Sequence, residues 1–149
     1  MLKLALKLVS TLIAEGISLF IVPIGQADDS PEQIATGLFA KYAAFKNAKD
    51  ATKISKIYAD GYLERSGRNP LGIAARTQNW QQQFAAMPDI QVTVPEVISS
   101  GDKVVAKVTY SATHTTPFSA GIAPTGKSNS LGTIDIWRIE NGKFAEHWD

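Results

Sequence analysis

The sequence predicts an α+β domain, in which helices from the first half of the chain pack on one face of a curved antiparallel sheet formed by the second half. Up to position 87, apolar residues recur at the three- and four-residue spacing of helices. After position 90 they alternate with polar residues, as they do in strands. The chain ends in LGTIDIWRIENGKFAEHWD, where Asn141-Gly142 is the strongest short signal for a hairpin turn. A sheet that curves under helices encloses a pocket, which is the usual place for a binding site.

The first 27 residues have the composition of a secretory signal peptide. Lys3 and Lys7 precede an apolar run over residues 8–24, and the small residues that follow it suit a cleavage site after Ala27. The run is short for a bilayer span, which needs about 20 apolar residues. We therefore expect a signal peptide over residues 1–27, export to the periplasm or the exterior, no stable membrane span after processing, and one domain over residues 28–149. The alternatives are an uncleaved anchor and an N-terminal helix packed on the domain.

The composition excludes several classes of function. A net charge of +1 on 149 residues gives no reason to expect nucleic-acid binding. The chain has no cysteine, which excludes disulfides and a cysteine nucleophile. Its two histidines are far apart in the sequence, so no metal site is expected. Consequently, we expect activity or ligand binding to survive chelators and the purified protein to lack bound metal.

Three helices are predicted before the sheet. Ser30-Pro31-Glu32-Gln33 combines an N-cap, a proline at the first helical position and a capping box, and the first helix runs to about position 47. Asp50 caps a second, shorter helix that ends near position 60. Asn69-Pro70 opens the third helix, which stops at Pro88 and carries aromatic and apolar residues along one side.

The strands that follow place polar residues among apolar ones. Residues 104–114 alternate clearly, with His114 on the apolar, inward parity. In the last hairpin, a two-residue loop would pair Glu140 with Lys143. A three-residue loop with a bulge would pair Ile139 with Lys143 and set Asp135 opposite His147. We favour the second register because it separates a polar and aromatic face from an apolar one: Thr133, Asp135, Trp137, Ala145, His147 and Asp149 against Ile134, Ile136, Phe144 and Trp148.

The helix-helix-helix-sheet order, with THTTPFSAGIAPTGK followed by IDIWRIENGKFAEHWD, resembles the SnoaL-like polyketide cyclase (ester cyclase) family of the NTF2-like superfamily. The resemblance covers residues 32–149. It implies an NTF2-like cone, with three N-terminal helices on a curved antiparallel sheet around a pocket, and often a homodimer. It also implies a cofactor-free intramolecular aldol closure, in which an aspartate at the position of Asp149 acts as acid and base. The family carries a histidine at the position of Asp135, so this chain departs from the pattern there.

These observations predict a cofactor-free acid/base enzyme that acts on an apolar, carbonyl-containing small molecule. The alternative is an exported, non-catalytic domain that binds a small ligand in the same pocket. Each candidate residue also has a simpler, non-functional interpretation. Asp149 could be solvated, His147 exposed and His114 a core residue bonded to backbone, and the aromatic residues could serve only to form the core. The candidate catalytic residues are Asp149, Asp135, His147 and His114, and the candidate substrate-binding residues are Trp80, Phe84, Met87, Tyr110, Phe118 and Trp137.

Overall fold

A computed structural model describes residues 29–67, 71–117 and 123–149. The predicted signal peptide, the Asn69-Pro70 helix start and Phe118 lie outside these residues. No helix in the described part of the chain is long and apolar enough to cross a membrane. The elements, in chain order, are α1 (Pro31–Asn47), a 3₁₀ turn (Ala51–Lys53) that continues into α2 (Ile54–Ile57), β1 (Tyr58–Glu64), α3 (Ile73–Ala86), β2 (Gln91–Ser100), β3 (Lys103–Thr113), β4 (Ser128–Glu140) and β5 (Lys143–Trp148).

The fold is of the predicted α+β class: three helical segments pack on a curved five-stranded sheet. The strand order is β1-β5-β4-β3-β2. All pairs are antiparallel except β1 with β5, which is parallel. A bulge bends β2 near Pro95, and the proline is tolerated because β2 is an edge strand.

The start of α1 follows from its first four residues. Ser30 Oγ accepts a hydrogen bond from the Gln33 backbone N–H, and Gln33 Oε1 accepts one from the Ser30 N–H, which completes the predicted capping box. Lys46 is buried in α1, whereas its neighbour Phe45 is only partly buried. The face that packs on the sheet consists of Ala35, Leu38, Phe39, Tyr42 and Lys46.

The second helix is shorter than predicted. It ends at Ile57, and the chain continues directly into β1. The spacing of Tyr58 and Tyr62 is compatible with a helix, but both rings are buried and stack edge-to-face at 4.7 Å between centroids within a strand. Strand pairing with β5 outweighs helix continuation here, because it buries Tyr58 against Phe144. The extended segment is therefore longer than sequence periodicity indicated, and it carries Glu64 at its end.

The last hairpin corrects the favoured register. Asn141 and Gly142 both have positive φ, at 52° and 70°, and form a two-residue turn that pairs Glu140 with Lys143. The predicted three-residue loop, with Ile139 opposite Lys143, is therefore wrong. A bulge does occur, but it lies within β5: Ile139 pairs with Phe144 and Arg138 with Glu146, so Ala145 has no partner.

The bulge decides which side chains face inward. Phe144 and Ala145 are both buried, so the placement of Phe144 on the outer face was wrong. Beyond the bulge, Trp137 pairs with His147 and Ile136 with Trp148. Asp135, His147 and Asp149 consequently share the inner parity, whereas Trp148 is on the outer face.

The outer face of the sheet carries a row of exposed apolar side chains. Register sets Ile98 beside Val105, Val105 beside Ile136, and Ile136 beside Trp148, across β2, β3, β4 and β5. Ile136 is 45% exposed and its neighbour along β4, Ile134, is 63% exposed. We call these five residues the outer row.

Candidate active site

His147 is the centre of a buried polar cluster. Its side chain is 2% exposed, although it is the next-to-last residue of β5. The parallel pairing of β1 with β5 sets Glu64 beside it. Its Nδ1 lies 2.8 and 2.9 Å from the two carboxylate oxygens of Glu64 and donates to them, which leaves Nε2 free on the other side of the ring. Nε2 is 3.7 Å from Oδ2 of Asp135, which is also 2% exposed.

Glu64 connects His147 to α3 and to the end of the chain. Arg76, on α3, forms a 3.0 Å ion pair with Glu64 Oε2. Tyr62 Oη donates to the same oxygen at 2.9 Å, and Ser66 Oγ donates to Oε1 at 2.6 Å. Burial alone would raise the pKa of Glu64, but the hydrogen bond from His147 and the charge of Arg76 together hold it at about 2. Glu64 is therefore a carboxylate across the physiological range.

The same carboxylates act on His147. Burial alone would lower the pKa of its imidazole. Asp135 and Glu64 outweigh that effect, and the net result is a pKa above the usual histidine value. The protonated ring is therefore stabilised in this site more than it would be in water.

Asp149 lies at the exposed side of the cluster. Its backbone N–H donates to Ser66 Oγ at 3.0 Å, and Ser66 in turn donates to Glu64. Ligand-capable atoms of Asp135, His147 and Asp149 all lie within 4.8 Å of one another. The end of the chain is thus held beside the ring, and Asp149 is the member of the cluster that solvent reaches.

Trp137 packs against the ring of His147. Its ring lies 3.9 Å from that of His147, centroid to centroid, at an interplanar angle of 31°. The Arg76 guanidinium lies 6.0 Å from the ring centroids of Trp137 and Tyr58. Several buried polar atoms here have no hydrogen-bond partner among the described residues: Tyr58 Oη, Arg76 Nε, Trp80 Nε1, Thr133 Oγ1, Asp135 Oδ1, Trp137 Nε1 and His147 Nε2.

The described residues line two clefts that differ in size and position. The smaller, about 60 Å³, lies directly over the Glu64–Arg76 pair and is also lined by Leu71, Ala75 and Asn79. The larger, about 370 Å³, lies at the other end of the domain, between the start of α1 and the turns at Gly101 and Gly142. None of the predicted site residues that the structure describes lines either cleft.

The structure does not bring His114 to this cluster. Asp135 pairs with Ala106, and His114 is eight positions further along the same chain segment, which at about 3.4 Å per residue is roughly 27 Å away. The His114 backbone pairs with Lys127 and Gly126. Its inward parity was predicted from the alternation of β3, but the length of that strand separates it from Asp135 and His147. It therefore has no place in the acid/base cluster.

The aromatic candidates divide by burial. Trp80 and Trp137 are fully buried, and Trp137 stacks on His147. Phe84, Met87 and Tyr110 are partly buried against the same core. This distribution favours the core reading for both tryptophans, which are packed among Tyr42, Tyr58 and Phe144.

Sequence reasoning missed Glu64 and Arg76. Glu64 lies between the second and third predicted helices, and its partner His147 is 83 positions away. Arg76 occupies a polar position of α3, where a solvated charge is the ordinary expectation. The one available signal was alternation in β1, which puts the side chains of Tyr62 and Glu64 on the same face.

The comparisons with known proteins agree with this architecture. A family model described as SnoaL-like polyketide cyclase matches residues 37–149. TsrD from Streptomyces laurentii is 27% identical, with 80% of this chain and 89% of that chain covered and a TM-score of 0.72. AclR from Streptomyces galilaeus is 28% identical, with 76% and 75% covered and a TM-score of 0.67. No curated protein matches the chain by sequence.

Proposed function

This chain belongs to the SnoaL-like polyketide cyclase family, and from that premise we propose that it catalyses cofactor-free proton transfer on an apolar, carbonyl-containing small molecule. The observation that carries the proposal is the buried Glu64–His147–Asp135 array with Asp149 at its open side. Perturbed ionisable groups that meet in one place are typical of acid/base sites. The most specific form of the reaction is an intramolecular aldol cyclisation.

Asp149 is the proposed base, because it is the exposed carboxylate of the cluster. It accepts a proton from the carbon next to a substrate carbonyl, and the electron pair of that C–H bond forms an enolate. In the cyclisation, the enolate carbon attacks a second carbonyl of the same molecule, a C–C bond forms, and Asp149 returns its proton to the new alkoxide. Atoms and charge balance within one substrate, so no co-reactant is needed.

His147 is the proposed electrophile. With Nδ1–H directed at Glu64, its protonated Nε2 donates to the carbonyl oxygen that becomes the enolate. The raised pKa of His147 favours that protonated form. Asp135 supports the ring charge from 3.7 Å, in place of the histidine that the family carries at this position.

Proton exchange at the α-carbon tests this proposal without knowledge of the natural substrate. Apolar ketones such as 2-tetralone, incubated with the protein in D₂O, should lose their α-proton signals by NMR. Asp149→Asn should reduce the rate by roughly 10²- to 10⁴-fold, the usual contribution of a general base. Asp60→Asn, an exposed aspartate on β1, is the matched control and should retain the rate.

The alternative, a binding domain without turnover, predicts a different result. Apolar ketones would then bind with a measurable affinity, yet none of those tested would exchange its α-protons faster with the protein than in buffer alone. That result would overturn the proposed chemistry.

We also propose that the protein acts outside the cytoplasm, because residues 1–27 have the charged, apolar and small-residue order of a signal peptide. The exported product should begin at Asp28, and its mass should lack the first 27 residues. An extracytoplasmic product that retains Met1 would contradict this.

A further inference from the structure

We propose that Asp135, His147 and Asp149 form a binding site for a divalent transition-metal ion, with Glu64 as the carboxylate that orients the histidine. The metal site does not depend on the proposed reaction. It rests on four features of the cluster: the identity of the ligand atoms, their spacing, the partner of His147, and the local charge.

The ligand atoms are an imidazole nitrogen and two carboxylate oxygens, a set that suits zinc and similar ions. Such ions bind nitrogen and oxygen ligands at about 2.0–2.2 Å, so neighbouring ligands of a tetrahedral site lie about 3.4 Å apart. Nε2 of His147 is 3.7 Å from Oδ2 of Asp135. All three residues offer an atom within 4.8 Å of the others, so small side-chain rotations bring them to the required spacing.

Two of these ligands are buried and lack partners. Nε2 of His147 and Oδ1 of Asp135 have no hydrogen bond among the described residues, although both side chains are almost fully buried. An unpaired polar atom in such a position costs free energy. A metal ion bound by His147 Nε2 and by both oxygens of the Asp135 carboxylate would satisfy both atoms, with the exposed Asp149 as the third ligand.

The other nitrogen of His147 is arranged as in known metal sites. A metal-binding histidine ordinarily donates its second N–H to a carboxylate, which fixes the tautomer and makes the free nitrogen a better ligand. Glu64 accepts from Nδ1 at 2.8 and 2.9 Å. The carboxylate of Glu64 is itself held by Tyr62 and Ser66, so the ring orientation is set before an ion arrives.

The charge of the cluster also favours a dication. Asp135, Asp149 and Glu64 are opposed by one guanidinium, that of Arg76. With neutral His147, the cluster therefore carries two negative charges, which a divalent ion neutralises. Arg76 does not block the site, because it contacts Glu64 and lies over Trp137 and Tyr58.

No metal site was expected from the sequence because the two histidines are far apart, whereas the proposed site uses one histidine and two carboxylates. The ion would take the same atoms that the proposed reaction uses for proton transfer. Consequently, that reaction belongs to the metal-free protein, and loading with metal should stop it.

Direct binding of Zn²⁺ to the whole protein tests the site. After removal of metals with a chelator, calorimetry should show one Zn²⁺ per chain, and Co²⁺ should give visible absorption of a nitrogen- and oxygen-bound ion. His147→Gln and Asp149→Asn should each weaken Zn²⁺ binding at least 10-fold. Glu64→Gln should weaken it about 10- to 100-fold. Because Asp149 is exposed, its variant tests the site without disturbing the core.

The matched controls are His114→Gln and Asp60→Asn, which lie outside the cluster and should bind Zn²⁺ like the unaltered protein. Absence of a stoichiometric site in the unaltered protein would overturn the proposal. So would equal losses in the control variants, or unaltered binding in both His147→Gln and Asp149→Asn. None of these readouts uses enzymatic activity, so failure of the metal site and failure of the proposed reaction are distinguishable.

Discussion

At the scale of single residues, Lys46 shows most clearly how tertiary packing overrides sequence pattern. It is 2% exposed, and its Nζ lies 4.6 Å from the Trp80 ring centroid and 5.5 Å from that of Phe84. Gln83 Oε1 accepts its hydrogen bond, and among the described residues no carboxylate forms an ion pair with it. Burial, and then the charge of Arg76, hold the pKa of Lys46 well below its usual value. The buried site therefore disfavours the charged form of the amine relative to water.

Replacing Lys46 by methionine should leave the free energy of unfolding at pH 7 unchanged or increase it, because an apolar chain of similar length fits the aromatic surroundings. A lysine with a lowered folded pKa binds fewer protons when folded, so its penalty decreases as pH rises toward the unfolded pKa. Between pH 7 and 9.5, the unaltered protein should gain stability relative to Lys46→Met. Urea unfolding checks this, with Lys41→Met on the exposed side of α1 as control. A loss of 2 kcal/mol or more at pH 7 would contradict it.

Asp135 and Glu64 differ in how far sequence could identify them. Asp135 lies between Ile134 and Ile136 on an alternating strand, so its inward position was predictable from period-2 spacing alone. Glu64 becomes part of the site only through pairing of β1 with β5, a contact between distant parts of the chain. Local spacing carries no information about such a partner.

At the level of secondary-structure elements, the bulge in β5, and not the turn, determines which side chains of the last hairpin face the core. The turn residues predicted a hairpin correctly, since Asn and Gly both tolerate positive φ. Turn chemistry does not fix where an extra residue is inserted, and the extra residue is Ala145. Its insertion puts Phe144 into the core and still leaves His147 on the inner face. The inward and outward alternation of side chains is interrupted at Ala145, and the favoured register was wrong because it did not include this interruption.

Truncation of the two aromatic residues of β5 separates the two registers. Phe144→Ala should cost about 3–5 kcal/mol, because the ring is fully buried and stacks on Trp137 at 4.4 Å. Trp148→Ala should cost less, about 1 kcal/mol, because the ring lies on the outer face beside Lys103. Chemical denaturation measures both. Equal losses, as expected if both rings shared one face, would contradict the bulge at Ala145.

At the scale of the whole molecule, the fold class, the element order and the capped first helix were predictable, because each follows from a local period or cap. The site was predictable only in part, since it requires β1, β5 and α3 to meet. The outer row is a further property of the assembled sheet. It becomes continuous only when four strands are aligned in register.

The family resemblance implies a homodimer, and we propose that the outer row forms its contact. Glu96 and Lys107 lie beside the row, so charges of both signs are available at the edge of a two-fold contact. Ile136→Glu should shift the protein to monomer in light scattering. Leu71→Glu, an equally exposed position away from the row, should not. A protein that is monomeric before mutation would contradict the expectation.

We propose that Glu64 and Asp135 hold His147 as an acid/base group, and NMR titration of His147 is the sharpest test. In the unaltered protein, the pKa of His147 should lie above the usual value for histidine, about 6.5. Glu64→Gln should lower that pKa, because the acceptor of the Nδ1 proton loses its charge. A His147 that titrates like a free imidazole, and does so equally with and without the Glu64 carboxylate, would contradict the account.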